Sequence, residues 1–165
     1  MGSEMCIRDR ALRGLSCMEH RGGCGGDGDS GDGAGILCEI PWSYLSQVWS
    51  AAKQCDPHLS GIGMIFMPKD STNRDKAKKL CEQEAESLGI TSKGWRDVPV
   101  HEEVLGKLAR ENEPFITQWL VDVKDKEINL EALLFRLRQK ISNRANIELK
   151  AVSYTHLTLP TILLV

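Results

Sequence analysis

From Gly22 to Gly35 the sequence places eight of its 15 glycines, within the stretch Met18-Glu-His-Arg-Gly-Gly-Cys-Gly-Gly-Asp-Gly-Asp-Ser-Gly-Asp-Gly-Ala-Gly-Ile-Leu-Cys-Glu-Ile40. Such a run suits neither the interior of a helix nor that of a strand, because glycine orders at a high entropic cost and packs nothing. It is either a turn-rich connector or a surface whose wall is backbone, since glycine lets a chain turn sharply and come close to a ligand. The run ends in Ile36-Leu37-Cys38-Glu39-Ile40, which reads as a strand. It also holds three acids, Asp27, Asp29 and Asp32, beside Arg21. The residue types alone leave both readings open.

Spacing tests the kinds of site that glycine-rich segments build. A phosphate loop needs Gly-x-x-x-x-Gly-Lys-Ser/Thr; this segment has no Lys, and its acids would repel phosphate. An EF-hand begun at Asp27 needs an acid at its fifth position and Glu at its twelfth, where Gly31 and Cys38 stand. A calcium nonapeptide reads Gly-Gly-x-Gly-x-Asp, but Ser30 occupies the place of the last acid and the motif has a single copy. A zinc site on Cys17, His20, Cys24 and Cys38 starts with Cys-x2-His and then departs from the common zinc spacings.

A longer string carries more weight. Ala11-Leu12, Leu15, Cys17-Met18-Glu19-His20-Arg21-Gly22-Gly23-Cys24, Asp27, Asp29-Ser30-Gly31-Asp32-Gly33-Ala34-Gly35-Ile36 and Ile40-Pro41 resemble the start of the glutamate synthases. The match is to their amino-terminal glutaminase domain, a class II glutamine amidotransferase. A weaker likeness runs through Gly94-Trp95-Arg96-Asp97-Val98-Pro99 to about Leu149. The resemblance implies an α+β fold, a truncated four-layer αββα sandwich of the amino-terminal-nucleophile hydrolase type. The Asp-Ser-Gly-Asp-Gly-Ala-Gly and Ile40-Pro41-Trp42 wording leans to the ferredoxin-dependent members over those using a nicotinamide cofactor.

Composition agrees with one ordinary globular core. Of the 165 residues, 41% are apolar and 27% charged, and the net charge of −2 gives no hint of nucleic acid or an anionic membrane as partner. No apolar run approaches the roughly 20 residues of a spanning helix, and no basic-then-apolar leader opens the chain. Six cysteines spread over such a length, without a secretion signal, read as reduced thiols in a cytosol-like compartment, which means cytoplasm, or plastid stroma if the source is an alga or plant.

Taken in order, residues 1–10 read as a non-native leader, with Met1-Gly-Ser as a cloning or assembly scar. Residues 151–165 read as an equally foreign tail, the alternative being a native apolar strand pair. Residues 11–150 are then the partial domain. Ala11–His20 predicts a helix with Leu12, Leu15, Cys17 and Met18 on one face, and Ile36–Ile40 a strand. Trp42–Lys53 predicts a helix whose Tyr44, Leu45, Val48, Trp49 and Ala52 line the core. Gly61–Met67 suits a strand covered on both faces. Thr72 and Asp75 form a capping-box-like start for a helix burying Ala77, Leu80, Cys81, Ala85 and Leu88 and ending at Gly89. Trp95–Val100 predicts an edge strand, Val104–Ala109 a short helix, and Phe115–Val123 a strand. Asn129 caps a helix whose Leu130, Leu133, Leu134, Leu137 and Ile141 face inward. This order fits a sandwich of sheet and helix layers.

The chemistry comes from the resemblance. Class II amidotransferases use an amino-terminal cysteine whose own α-amine, titrating near pH 8, acts as base. That cysteine lies upstream of His-Arg-Gly and is expected to be missing, so no catalytic residue is assigned. Cys6 is followed by Ile7 and is internal, and Cys24 has only His20 as a neighbouring base. Arg21, Gly22, Asp32 and Gly33 are the expected substrate-pocket residues, Arg21 orienting a carboxylate or, alternatively, pairing with Asp27, Asp29 or Asp32. No metal and no cofactor are expected here; the parent would carry FMN and an iron–sulfur cluster elsewhere. Its partners would be glutamine, the remainder of the glutamate synthase chain, and ferredoxin or a small reductase subunit. The alternative is a non-catalytic glycine-rich module, with zinc as its ligand.

Overall fold

The computed structural model describes residues 2–148 except 19–21, 24, 32, 34, 36 and 37, with side chains from residue 9 onward. The chain forms two compact units. One is the chain through Cys38 together with Pro99–Glu113; the other is Glu39–Val98 with the chain from Pro114 onward.

The second unit is organised by alternation along its strands. β1 (Ser60–Met67), β2 (Ile90–Asp97) and β3 (Phe115–Val123) form one antiparallel sheet in the order β1-β3-β2. Ser60 pairs with Asp122 and Met67 with Phe115 on one side of β3; Ile90 pairs with Val123 and Asp97 with Thr117 on the other. Successive strand residues point to opposite faces, so Trp119, Val121 and Val123 fall on one side and Leu120 on the other. The first face joins Ile65 and Met67 to Leu80, Cys81 and Ala85 of α3 (Ser71–Ser87) and to Leu133, Leu134, Leu137 and Ile141 of α5 (Leu130–Glu148). The second face packs Ile62 and Leu120 on Leu45, Trp49 and Ala52. These come from α2 (Trp42–Val48) and the 3-10 turn Ser50–Gln54 that follows it. The result is the expected α+β layering of helices on a sheet, with β1 covered on both faces.

Several local expectations shift. β2 begins at Ile90 instead of Trp95, directly after Gly89, which leaves α3 at φ 72°. A bulge between Ser92 and Gly94 sets its register, with Gly94 at φ 138°. α3 is capped by Asp70, whose carboxylate accepts from Asn73 N–H at 2.8 Å, and not by Thr72; the aspartate sits at the turn that precedes the helix, where a cap must lie. Asn129 caps α5 as expected, accepting from Ala132 N–H at 3.0 Å. In the Trp42–Lys53 stretch the helix breaks at Trp49, so Trp49 goes inward while Tyr44 and Val48 stay 53% and 46% exposed. Cys38, Glu39 and Ile40 form no strand, and Ile36 and Leu37 lie outside the described residues.

Cross-strand partners Trp95 and Trp119 stack with ring centroids 5.0 Å apart and planes 6° from parallel. Their indole N–H groups donate to Glu82 and Ser92, both at 2.8 Å, so buried Trp119 and half-buried Trp95 both have their polar tips satisfied. Helices α3 and α5 are tied by one guanidinium. Arg144 donates from Nη1 to Glu84 at 2.9 Å, from Nη2 to Gln83 at 2.9 Å and from Nε to Glu148 at 2.6 Å. Lys140 adds a second cation to Glu84 at 3.2 Å.

In the first unit α1 (Gly2–Cys17) starts well before Ala11 and ends at Cys17. Residues 1–10 include Glu4, Met5, Arg8 and Arg10, which extend helices readily, and hold no proline to stop one. The apolar face expected of it is not buried: Leu12 is 48% and Met18 53% exposed. The expected tail, residues 151–165, lies outside the described residues.

Two outcomes follow for the sheet unit. A Cβ on Gly61 would stand 2.6 Å from Leu134 Cδ1, and Leu134 is only 2% exposed. Gly61→Ala is therefore expected to lose about 1–3 kcal/mol in urea denaturation. The loss should vanish in a Leu134→Ala background, itself about 2–5 kcal/mol less stable; equal losses in both backgrounds would refute the contact. For Glu84, the Arg144 hydrogen bond is the main cause holding its carboxyl below the usual range, with Lys140 assisting against desolvation. Its stabilisation is full above the unfolded value of about 4.3 and is lost as pH falls through the lower folded value. Glu84→Gln should cost roughly 1 kcal/mol at pH 7, and the difference from the parent should shrink on acidification below about pH 4. A gap that stayed constant to pH 2 would contradict this.

Candidate functional site

The glycine-rich segment is where the site was expected, and its described part is built around one carboxylate. Gly28 N–H donates to the Gly25 carbonyl at 3.0 Å, closing a turn that Gly28 leaves at φ 74°. Only glycine enters that region without strain. Asp27 sits inside the turn. Its Oδ1 accepts from Ser30 N–H at 2.9 Å and Asp29 N–H at 3.3 Å, and its Oδ2 accepts from the Ser30 hydroxyl at 2.6 Å. The same Oδ2 accepts from Leu108 N–H at 3.0 Å, and Ser30 Oγ accepts from Ala109 N–H at 3.1 Å.

Leu108 and Ala109 belong to the first turn of α4 (Lys107–Asn112), whose N-cap is Gly106. A helix start leaves its first N–H groups without internal partners, and glycine has no side chain to meet them. Asp27 and Ser30 do so from the far end of the unit's sequence. Ser30 is buried, at 8% exposure. The donors gathered on Asp27, the Ser30 hydroxyl first and then Leu108 N–H, hold its carboxyl well below the usual range.

The named pocket residues divide. Gly22 and Gly33 are exposed, and Gly33 has φ 79°. Arg21 and Asp32 lie outside the described residues, as do His20 and Cys24 of the zinc and dyad alternatives. Among the described residues no three His, Cys, Asp or Glu side chains converge as a metal ion or cluster would require. Of the described cysteines, Cys81 is buried and its thiol is pushed up to about 12, chiefly by desolvation, which makes it inert as a nucleophile. The Cys55 thiol donates to the Ala51 carbonyl at 3.3 Å, while Cys17 and Cys38 are exposed.

The sequence pattern of the class II glutamine amidotransferases matches residues 3–162. The chain belongs to this family. Among the relatives of this chain, the ferredoxin-dependent glutamate synthase 1 (chloroplastic/mitochondrial) of Arabidopsis thaliana is 43% identical over 136 residues, 79% of this chain and 8% of its own. The chloroplastic ferredoxin-dependent glutamate synthase of Spinacia oleracea is 39% identical over 150 residues, 88% of this chain and 9% of its own. The ferredoxin-dependent glutamate synthase 2 of Synechocystis is 43% identical over 116 residues, 68% of this chain and 7% of its own. The chain thus spans less than a tenth of the relatives it matches. Among the described residues, no helix is long and apolar enough to cross a membrane.

The Asp27–Ser30 cap was not legible in the sequence. The available signal was negative: Gly106 stands where the short helix needs Ser, Thr, Asp or Asn, so a cap had to arrive from elsewhere. Its close approach gives a test. A Cβ on Gly106 would lie 2.6 Å from Ser30 N and 2.7 Å from the Asp29 carbonyl carbon. These are backbone atoms, so Gly106→Ala should cost about 1–3 kcal/mol and speed amide exchange at Leu108 and Ala109. Unchanged protection at both amides would show that the segment does not dock there.

Proposed function

We propose that this chain is part of the glutaminase domain of a ferredoxin-type glutamate synthase, with residues 11–150 as the domain segment. The observation that carries this reading is its identity of 39–43% with such enzymes over most of its length. The parent would release the amide nitrogen of glutamine and pass it to 2-oxoglutarate, with electrons from ferredoxin. In the glutaminase step a cysteine thiolate attacks the glutamine amide carbon while its own α-amine takes the thiol proton. Ammonia leaves, and water resolves the glutamyl thioester to glutamate. Arg21, Gly22, Asp32 and Gly33 would line the pocket, Arg21 by pairing with a carboxylate. FMN and an iron–sulfur cluster would sit in other parts of the parent. So would the ferredoxin-binding surface. The enzyme would work in plastid stroma or cytoplasm, without nucleic acid or membrane as partner.

The reading puts the nucleophile outside these 165 residues. All six cysteines are internal in the sequence as written, and an amide nitrogen is not a base. The 165-residue polypeptide is therefore expected to release no ammonia from glutamine above background. The full-length enzyme containing this segment is expected to do so, and to stop when its amino-terminal cysteine is replaced by Ala. Turnover by the short polypeptide that disappears in Cys24→Ala would move the nucleophile into the glycine-rich segment. A full-length enzyme without glutamine hydrolysis would end the reading.

A further inference from the structure

A segment with eight glycines in its span from Gly22 to Gly35 has many conformations to lose when it binds anything. Its described residues hold one conformation partly through hydrogen bonds that end outside it. Asp27 Oδ2 and Ser30 Oγ meet the amides of Leu108 and Ala109 at 3.0 and 3.1 Å. The two side chains are also bonded to each other, at 2.6 Å, so they form a single fastener. The surface they fasten to is itself fixed. The Arg110 guanidinium donates to the carbonyls of Glu102 and Leu105, both at 3.1 Å, and Asn112 Nδ2 donates to the Leu108 carbonyl at 2.9 Å. The missing side chain of Gly106 gives the room for this approach.

We infer that Asp27, acting with Ser30, is a positioning residue: a latch that holds the glycine-rich segment against α4 in the conformation that accepts glutamine. The inference rests on the proposed reading of that segment as pocket wall. Its physical content is preorganisation. A loop ordered before substrate arrives does not draw its ordering entropy from the binding free energy. Releasing the latch should therefore weaken glutamine binding more than it slows the bond-breaking step, whose reacting groups lie elsewhere.

The test uses the full-length enzyme that contains this segment, with Asp27→Asn, Ser30→Ala, Ser30→Thr and the Asp27→Asn/Ser30→Ala double variant. Two quantities are measured: amide exchange of peptides spanning 22–35 and 106–112, and kcat and KM for glutamine hydrolysis. Asp27→Asn is expected to speed exchange in both peptides. It should raise KM on the order of tenfold while kcat stays within about threefold. Ser30→Ala should act in the same direction but less, and Ser30→Thr, which keeps the hydroxyl, should behave as wild type. The double variant should be no worse than Asp27→Asn alone, because both residues act through one fastener. Unchanged exchange in Asp27→Asn overturns the latch. Faster exchange with unchanged KM, or a fall confined to kcat, overturns the positioning role. If the wild-type enzyme does not hydrolyse glutamine, the functional reading fails by itself, and the exchange data still decide whether the latch exists.

Discussion

β3 has both edges hydrogen-bonded and both faces covered, and the sheet unit depends on that double engagement. β1 and β2 each pair with β3, so neither would belong to a sheet without it. Its alternation also divides the core: Trp119, Val121 and Val123 serve the cluster with α3 and α5, while Leu120, fully buried, serves the smaller cluster with α2. A strand in that position must be apolar on both faces, and Phe-Ile-Thr-Gln-Trp-Leu-Val-Asp-Val meets the requirement with Gln118 and Asp122 engaged at their tips. Arg96 donates to Gln118 at 2.6 Å, and Asp122 takes Lys93 at 3.2 Å.

The other unit is held on different terms. Its described residues bury few large apolar side chains, and Leu12, Met18, Val104 and Leu108 are exposed. What orders it is polar and directional: a carboxylate and a hydroxyl answering the unpaired amides of a six-residue helix. Charge-assisted hydrogen bonds are stronger and more exacting in geometry than neutral ones. That suits a segment whose composition gives hydrophobic packing almost nothing to work with.

These contrasts bear on function. Amidotransferase chemistry of this class needs a thiol with an amine beside it; among the described cysteines Cys81 is buried, Cys55 donates to a backbone carbonyl, and Cys17 and Cys38 are exposed. In the proposed reading this chain contributes scaffold and loop, and it would influence catalysis through where the glycine-rich backbone is held. That makes Asp27 a residue of interest although it makes no bond to a reacting atom in the proposed scheme.

Periodicity and residue type made much of the sheet unit legible. Phe115–Val123 and the inward face of the Leu130 helix fall where residue type and apolar spacing put them, because a β-branched and aromatic run and a helical stripe are both local properties of the sequence. The glycine-rich string was enough to point to the family. Caps and strand limits were less legible. Asp70 displaced Thr72, β2 reached back to Ile90 through a bulge, and Ile40 found no strand partner, because turns and ladders are settled by what lies across the gap. The union of Asp27 and Ser30 with α4 was decided by tertiary structure alone. It joins residues about 80 positions apart, and no local pattern records which distant amide a carboxylate will meet.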